Sequence, residues 1–182
     1  MLQPNNIMEL FSIIWDLISI IPLAICLGLL YNFLLFPRKN ILDLVLLLYL
    51  VSSDLLVKIL KSIPYPKYLS PWMDRPKGAK NCDYFSRNGP VPPNTPGMPS
   101  GHMTHICLFT TVMILGRMKS KNGLEFIWDN LFYYGVNFSL VVMMALARYF
   151  KKCHNIIQIS AGSGLGFLLG FLFLEIIKKF RW

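Results

Sequence analysis

The sequence predicts an all-α protein, an integral membrane bundle of about five transmembrane helices. Two observations lead there. The 182 residues are 54% hydrophobic and 15% charged, with a mean hydropathy of +0.50, whereas a soluble domain carries about 25% charged residues. The apolar residues also gather in five runs, each near the roughly 20 residues that a helix needs to cross a bilayer. Backbone N–H and C=O groups cannot stay unpaired in lipid, so such runs fold as helices and pack as a bundle. The length suits a single membrane-embedded domain, residues 1–182.

The first run spans Leu10 to Phe36, with Asp16 near its start, and Pro37-Arg38-Lys39-Asn40 ends it. Met1 to Glu9 lacks the basic region and cleavage site of a signal peptide, so this run is expected to be a retained membrane helix. The second run goes from Ile41 to about Leu60 and contains Asp43, Asp54 and Lys58. A polar stretch rich in proline and glycine follows, from Ser62 to Pro99. The third run extends from Ser100 to about Met118, and Lys119 to Gly123 form a turn. The fourth covers Phe126 to Phe150, and the fifth Ile156 to Ile177, closed by Lys178, Lys179 and Arg181. Within the fifth, Gly162, Gly166 and Gly170 recur every fourth residue, a stripe suited to close helix contact.

Five spans assign sides. The N-terminus, the 62–99 stretch and the 151–155 turn share one face, and the 37–40 turn, the 119–123 turn and the C-terminal tail share the other. Both faces are basic, so the positive-inside rule nearly ties. If several cations on the first face serve a ligand, the second is the better cytoplasmic candidate, and the active face is expected on the non-cytoplasmic side.

The net charge of +9 sits in short segments between the apolar runs. That placement fits phosphate and lipid headgroups, and the lack of a separate basic domain argues against nucleic acid. The four cysteines show no CxxC spacing. Cys26 and Cys107 are expected to be small buried hydrophobes, while Cys82 and Cys153 share a face and could meet. The 62–99 stretch offers only Asp74 and Asp83 as carboxylates, too sparse for a metal cluster, so no metal and no cofactor is expected.

Three groups on the first face could do chemistry. Pro99-Ser100-Gly101-His102 opens the third span, where a helix start supplies free N–H groups and a positive dipole end to an anion. Gly101 would let phosphate oxygens approach the backbone, and His102 could donate a proton. Arg148-x5-His154 closes the fourth span; arginine offers phosphate a planar bidentate partner, and histidine can act as nucleophile or acid and base. Arg75-Pro76 lies among Lys58, Lys61, Lys67, Lys77 and Lys80, cations able to neutralise a phosphoryl group in transfer. Lys151 and Lys152 are expected to meet headgroups. His105, one turn below His102, reads as packing or a hydrogen bond, and Asp54 and Lys58 as an ion pair facing the bundle interior, with Asp54 also within possible reach of the site. The five prolines from Pro90 to Pro99 read as a stiff loop over the active face.

Taken together, Arg75-Pro76, Pro99-Ser100-Gly101-His102 and Arg148-x5-His154 resemble the three-part signature of the type 2 phosphatidic acid phosphatases, over residues 61 to 158. The resemblance implies that His154 attacks phosphorus to form a phosphohistidine and that His102 protonates the leaving oxygen. It implies that Arg75, Arg148, Ser100, the Gly101 backbone and one lysine hold the phosphate, without a metal. The family has a lysine seven residues before the arginine; here that position is Tyr68, so Lys67 or Lys61 would serve. Ala147 replaces a serine before Arg148, and Gln158 replaces an aspartate four residues after His154. Gln158 could still accept a hydrogen bond from the imidazole and fix its tautomer. The dolichyl diphosphatase and glucose-6-phosphatase branches are similar in carrying glutamine there. The expected substrate is therefore a membrane lipid phosphate, polyprenyl diphosphate first and phosphatidic acid second. The alternatives are a sugar phosphate and a non-catalytic lipid-binding or transporting protein of the same fold.

Overall fold

The computed structural model describes residues 4–36, 41–79, 90–118 and 130–179. The described residues form six helices: α1 (Pro4–Leu35), α2 (Ile41–Ser62), α3 (Ser70–Met73), α4 (Gly101–Met118), α5 (Leu131–Phe150) and α6 (Ile156–Lys179). A one-turn 3-10 helix, Lys67–Leu69, leads into α3. No strand occurs among the described residues; an isolated bridge pairs Asp74 with Pro96.

Five of these helices fall where the apolar runs predict spans. By length and hydropathy alone, three segments among the described residues qualify for crossing a membrane: Leu10–Leu35, Leu131–Phe150 and Ile156–Lys179. The remaining two, α2 and α4, are diluted by Asp43, Asp54, Lys58 and Lys61 and by His102, Thr104, His105, Thr110 and Thr111. These two helices bring much of the site, which accounts for their weaker apolar signal. The 119–123 turn and the chain up to residue 129 lie outside the described residues, and α5 is described from Leu131.

Side-chain bonds fix which ends lie together. Asn32 donates to Asp43 at 2.7 Å, joining the end of α1 to the start of α2. At the same end of the bundle, Tyr133 on α5 donates to the Met113 carbonyl on α4 at 3.2 Å. At the opposite end, Lys151 pairs with Asp16 on α1. The helices thus alternate in direction, as the face assignment requires.

The most extensive helix contact is between α4 and α6, and the glycine stripe explains it. A Cβ at Gly162 would stand 2.5 Å from the Ser100 carbonyl oxygen, one at Gly166 2.3 Å from that of Thr104, and one at Gly170 2.7 Å from the Thr111 Cβ. Only glycine lets the backbones approach so closely, in the manner of small-residue contacts between membrane helices. Two apolar clusters fill the remaining interior. Met103, Ile106, Met144, Ala147 and Ile159 pack with Ile18 nearer the site, and Leu29, Leu46, Leu50, Leu108, Val112 and Phe173 pack farther from it.

The outer surface is apolar and much of the interior is polar. Phe132 is 86% exposed and Leu34 66%, while Thr104, His105, Thr110, Asn137, Arg148, His154 and Gln158 are buried. A water-facing protein would not expose so continuous an apolar surface. Two buried hydroxyls of α4 bond the backbone one turn back: Thr104 bonds the Ser100 carbonyl at 3.1 Å and Thr110 that of Ile106 at 2.9 Å.

Candidate active site

The turn between α5 and α6 presents the first pair of side chains. After α5 ends at Phe150, the chain curls back so that the N–H groups of Cys153 and His154 both bond the Arg148 carbonyl, at 3.0 and 3.3 Å. Lys152 takes φ 56, the left-handed conformation that such a reversal needs. Asn155 then caps α6. Its side-chain oxygen accepts the Gln158 N–H at 2.9 Å, and Gln158 Oε1 accepts the Asn155 N–H at 3.3 Å. This is a reciprocal capping box, Asn155-x-x-Gln158.

Gln158 Oε1 also faces His154 Nδ1 at 3.1 Å. An amide oxygen only accepts, so Nδ1 carries the proton and Nε2 keeps its lone pair. Burial, then the nearby Lys61, Arg75 and Arg148, hold the His154 imidazole well below the ordinary histidine range, against the opposing pull of the Gln158 bond. The ring is therefore neutral at neutral pH.

The start of α4 contributes the second block. Gly101 and His102 stand at its first turn, where unsatisfied backbone N–H groups concentrate positive potential. The Ser100 N–H is engaged by the Gln158 backbone carbonyl at 3.1 Å. Its hydroxyl is buried and has no hydrogen-bond partner among the described residues.

Arg75 follows α3. Its N–H bonds the Thr95 carbonyl at 2.9 Å, and the Gly97 N–H bonds the Met73 carbonyl at 2.7 Å. The proline-rich segment thus runs beside Arg75. The Asp74 carboxylate accepts from Tyr65 and Ser70 and is turned to that structural task.

These blocks surround a cavity of about 630 Å³ lined by Asp54, Val57, Lys58, Lys61, Ser62, Arg75, Thr95, Pro96, Gly101, His102, Arg148 and His154. Of the residues marked in the sequence, His154, His102, Arg75, Gly101, Arg148 and Lys61 reach this space; Ser100 and Gln158 lie behind its wall. Lys67 is exposed on the 3-10 turn and does not line the cavity. Of the two lysines, Lys61 lines the cavity. It stands on the last turn of α2, seven residues beyond Asp54 and three beyond Lys58, so the three share one helix face.

Two further readings change. Lys151, expected to meet headgroups, is 10% exposed at its side chain and pairs with Asp16. Asp54, expected to pair with Lys58, instead approaches buried His105, with 3.5 Å between Asp54 Oδ1 and His105 Nδ1; Cys26 Sγ lies 3.5 Å from the other ring nitrogen. Cys153 is disulfide-bonded, Cys26 and Cys107 are free, and Cys82 lies outside the described residues. The sequence reading missed Thr95, Pro96 and Gly97. The only available signal was their place in the proline-rich segment.

A membrane bundle that gathers two histidines, two arginines and two lysines around one cavity, at a helix N-terminus, belongs to the class of phosphate-handling membrane proteins. The chain is a member of the PAP2 superfamily, whose sequence profile matches residues 43–182. Among solved structures it is similar to a transmembrane PAP2-type phosphatidylglycerolphosphate phosphatase from Bacillus subtilis. The identity is 21% and the TM-score 0.58, over 98% of this chain and 80% of that one. No curated protein matches the sequence. Family membership supports a phosphatase, and the long apolar helices support an integral membrane protein.

Proposed function

We propose that the protein removes phosphate from a lipid phosphate or a polyprenyl diphosphate through a phosphohistidine on His154, without a metal ion. One observation carries the reading: Gln158 occupies His154 Nδ1, and the ring lines a cavity shared with Arg75, Arg148, Lys61 and His102. Nε2 attacks phosphorus while the bond to the leaving oxygen breaks, and His102 gives that oxygen its proton. Water then attacks the phosphohistidine, His102 takes its proton, and inorganic phosphate leaves. Arg75, Arg148 and Lys61 neutralise the equatorial oxygens in both steps.

In this reading polyprenyl diphosphate is the first candidate substrate and phosphatidic acid the second, with the chain in the dolichyl diphosphatase-like branch. The active face lies outside the cytoplasm. The disulfide at Cys153, beside His154, supports that placement, because disulfides persist in oxidising compartments. A sugar-phosphate hydrolase is the second reading, favoured by Asp54, Ser62 and Thr95, whose side chains could bond sugar hydroxyls in the cavity.

The test is phosphate release by the detergent-purified protein in excess EDTA. The substrates are farnesyl diphosphate, a dolichyl diphosphate analogue, phosphatidic acid and glucose 6-phosphate, with His154→Ala beside wild type. Release that vanishes in the variant, with an acid-labile phosphoprotein trapped in wild type, is the expected result. No release from any substrate by a monodisperse protein would favour the non-catalytic reading instead.

A further inference from the structure

We propose that Gln158 is the positioning residue that registers the Arg75 loop against the nucleophile, and that it requires an amide to do so. The proposal rests on the phosphatase reading and deepens it. Gln158 is fully buried and touches all three blocks of the site. Its Oε1 faces His154 Nδ1, and its backbone carbonyl accepts the Ser100 N–H. Its Nε2 points at the chain leading into Arg75, donating to the carbonyls of Trp72 at 3.0 Å and Asp74 at 2.6 Å, with that of Met73 at 3.4 Å.

The polarity is complementary at both ends. Donors converge on the oxygen and acceptors on the nitrogen, which fixes the orientation of the amide. Glutamate has the same shape but could satisfy only the first end; its second oxygen would face three carbonyls. Gly97 closes the arrangement from the other side, because a Cβ there would sit 2.6 Å from Oε1. The Gly97 N–H holds the Met73 carbonyl, so the same short segment is pinned by α6 and by the proline-rich stretch. Arg75 emerges from that segment one residue after the carbonyl that Gln158 holds most tightly.

A residue serving only to orient His154 would behave differently. For that task glutamate is at least as good an acceptor, and it would stabilise imidazolium by charge. The two roles therefore predict opposite outcomes for one substitution. Gln158→Glu is measured for vanadate affinity by calorimetry and for kcat and KM on the best substrate of wild type. The expected result is vanadate affinity weaker by about tenfold, since a buried hydrogen-bonded link is lost, together with a raised KM. Wild-type vanadate affinity with kcat retained would overturn the proposal.

Gln158→Leu breaks both side-chain links without adding charge and serves if the glutamate variant does not fold. It should show the same vanadate loss, and wild-type affinity there would also overturn the idea. A double-mutant cycle with Arg75→Ala completes the test. Overlapping losses place the effect of Gln158 on Arg75, and strictly additive losses remove it from there. If wild type binds vanadate but hydrolyses nothing, the phosphatase reading fails while the vanadate comparison still decides the role of Gln158.

Discussion

The Arg148 carbonyl accepts the His154 N–H, so the cation proposed to hold phosphate and the imidazole proposed to attack it share one backbone anchor. The x5 spacing between them is the length of chain that reverses from the end of α5 and returns to that carbonyl. Inserting or deleting a residue there moves both groups relative to each other. A single alanine inserted between Lys151 and Lys152 should abolish phosphate release while the helical circular dichroism of the detergent-solubilised protein stays near wild type.

His102 should reveal itself through the leaving group. If it protonates the departing oxygen, His102→Ala lowers kcat on an alkyl phosphate by roughly 10²–10⁴-fold. p-Nitrophenyl phosphate, whose leaving group needs no proton, should lose far less. Equal losses on both substrates would point to phosphate binding as the role of His102.

The acidic limb of kcat/KM follows from the proton on His154. Attack requires the neutral ring, so activity rises with pH through the His154 pKa. Burial, Lys61 and Arg75 hold that value well below the ordinary range, which places the limb below about pH 6.5. Lys61→Met removes the largest of the cationic contributions and should move the limb upward. A limb that does not move would show that the titration belongs to another group.

Lys61 and Lys67 can be separated directly. Lys61→Ala should weaken vanadate binding by about tenfold through loss of a charge-assisted contact, and Lys67→Ala should leave it within about twofold, as for an exposed charge. The reverse ranking would contradict the placement of the two lysines relative to the cavity.

Gly166→Ala probes the α4–α6 contact. The new methyl would meet the Thr104 carbonyl at 2.3 Å, and forcing the helices apart costs about 1–3 kcal/mol. A lower melting temperature in detergent is expected. Gly164→Ala, with open space around it, should be silent.

Much of this was legible in the sequence because it depends on local pattern. Apolar runs locate spans, glycines four apart mark a face, and proline-serine-glycine marks a helix start. Asn155-x-x-Gln158 was legible too, as a capping box, although the sequence reading took Gln158 only as a partner for the imidazole. The choice between Lys61 and Lys67 was hidden, because it depends on how the 62–75 segment returns to the site. The Trp72 to Asp74 carbonyls carry no mark in a sequence, since every residue has one. The link between Asp16 and Lys151 was equally invisible, as 135 positions separate the two.

That link bears on where the working unit begins. The family profile starts at residue 43, yet the turn carrying His154 is braced by the helix before it: Lys151 by Asp16, and Phe150 by the ring of Trp15, stacked at 5.5 Å. A version of the chain cut to the family boundary would keep every residue proposed to touch phosphate. It would leave Lys151 without its counter-ion and Phe150 without its stacking partner. The first helix thus supports the turn that carries His154, and a piece cut at residue 43 would lose that support.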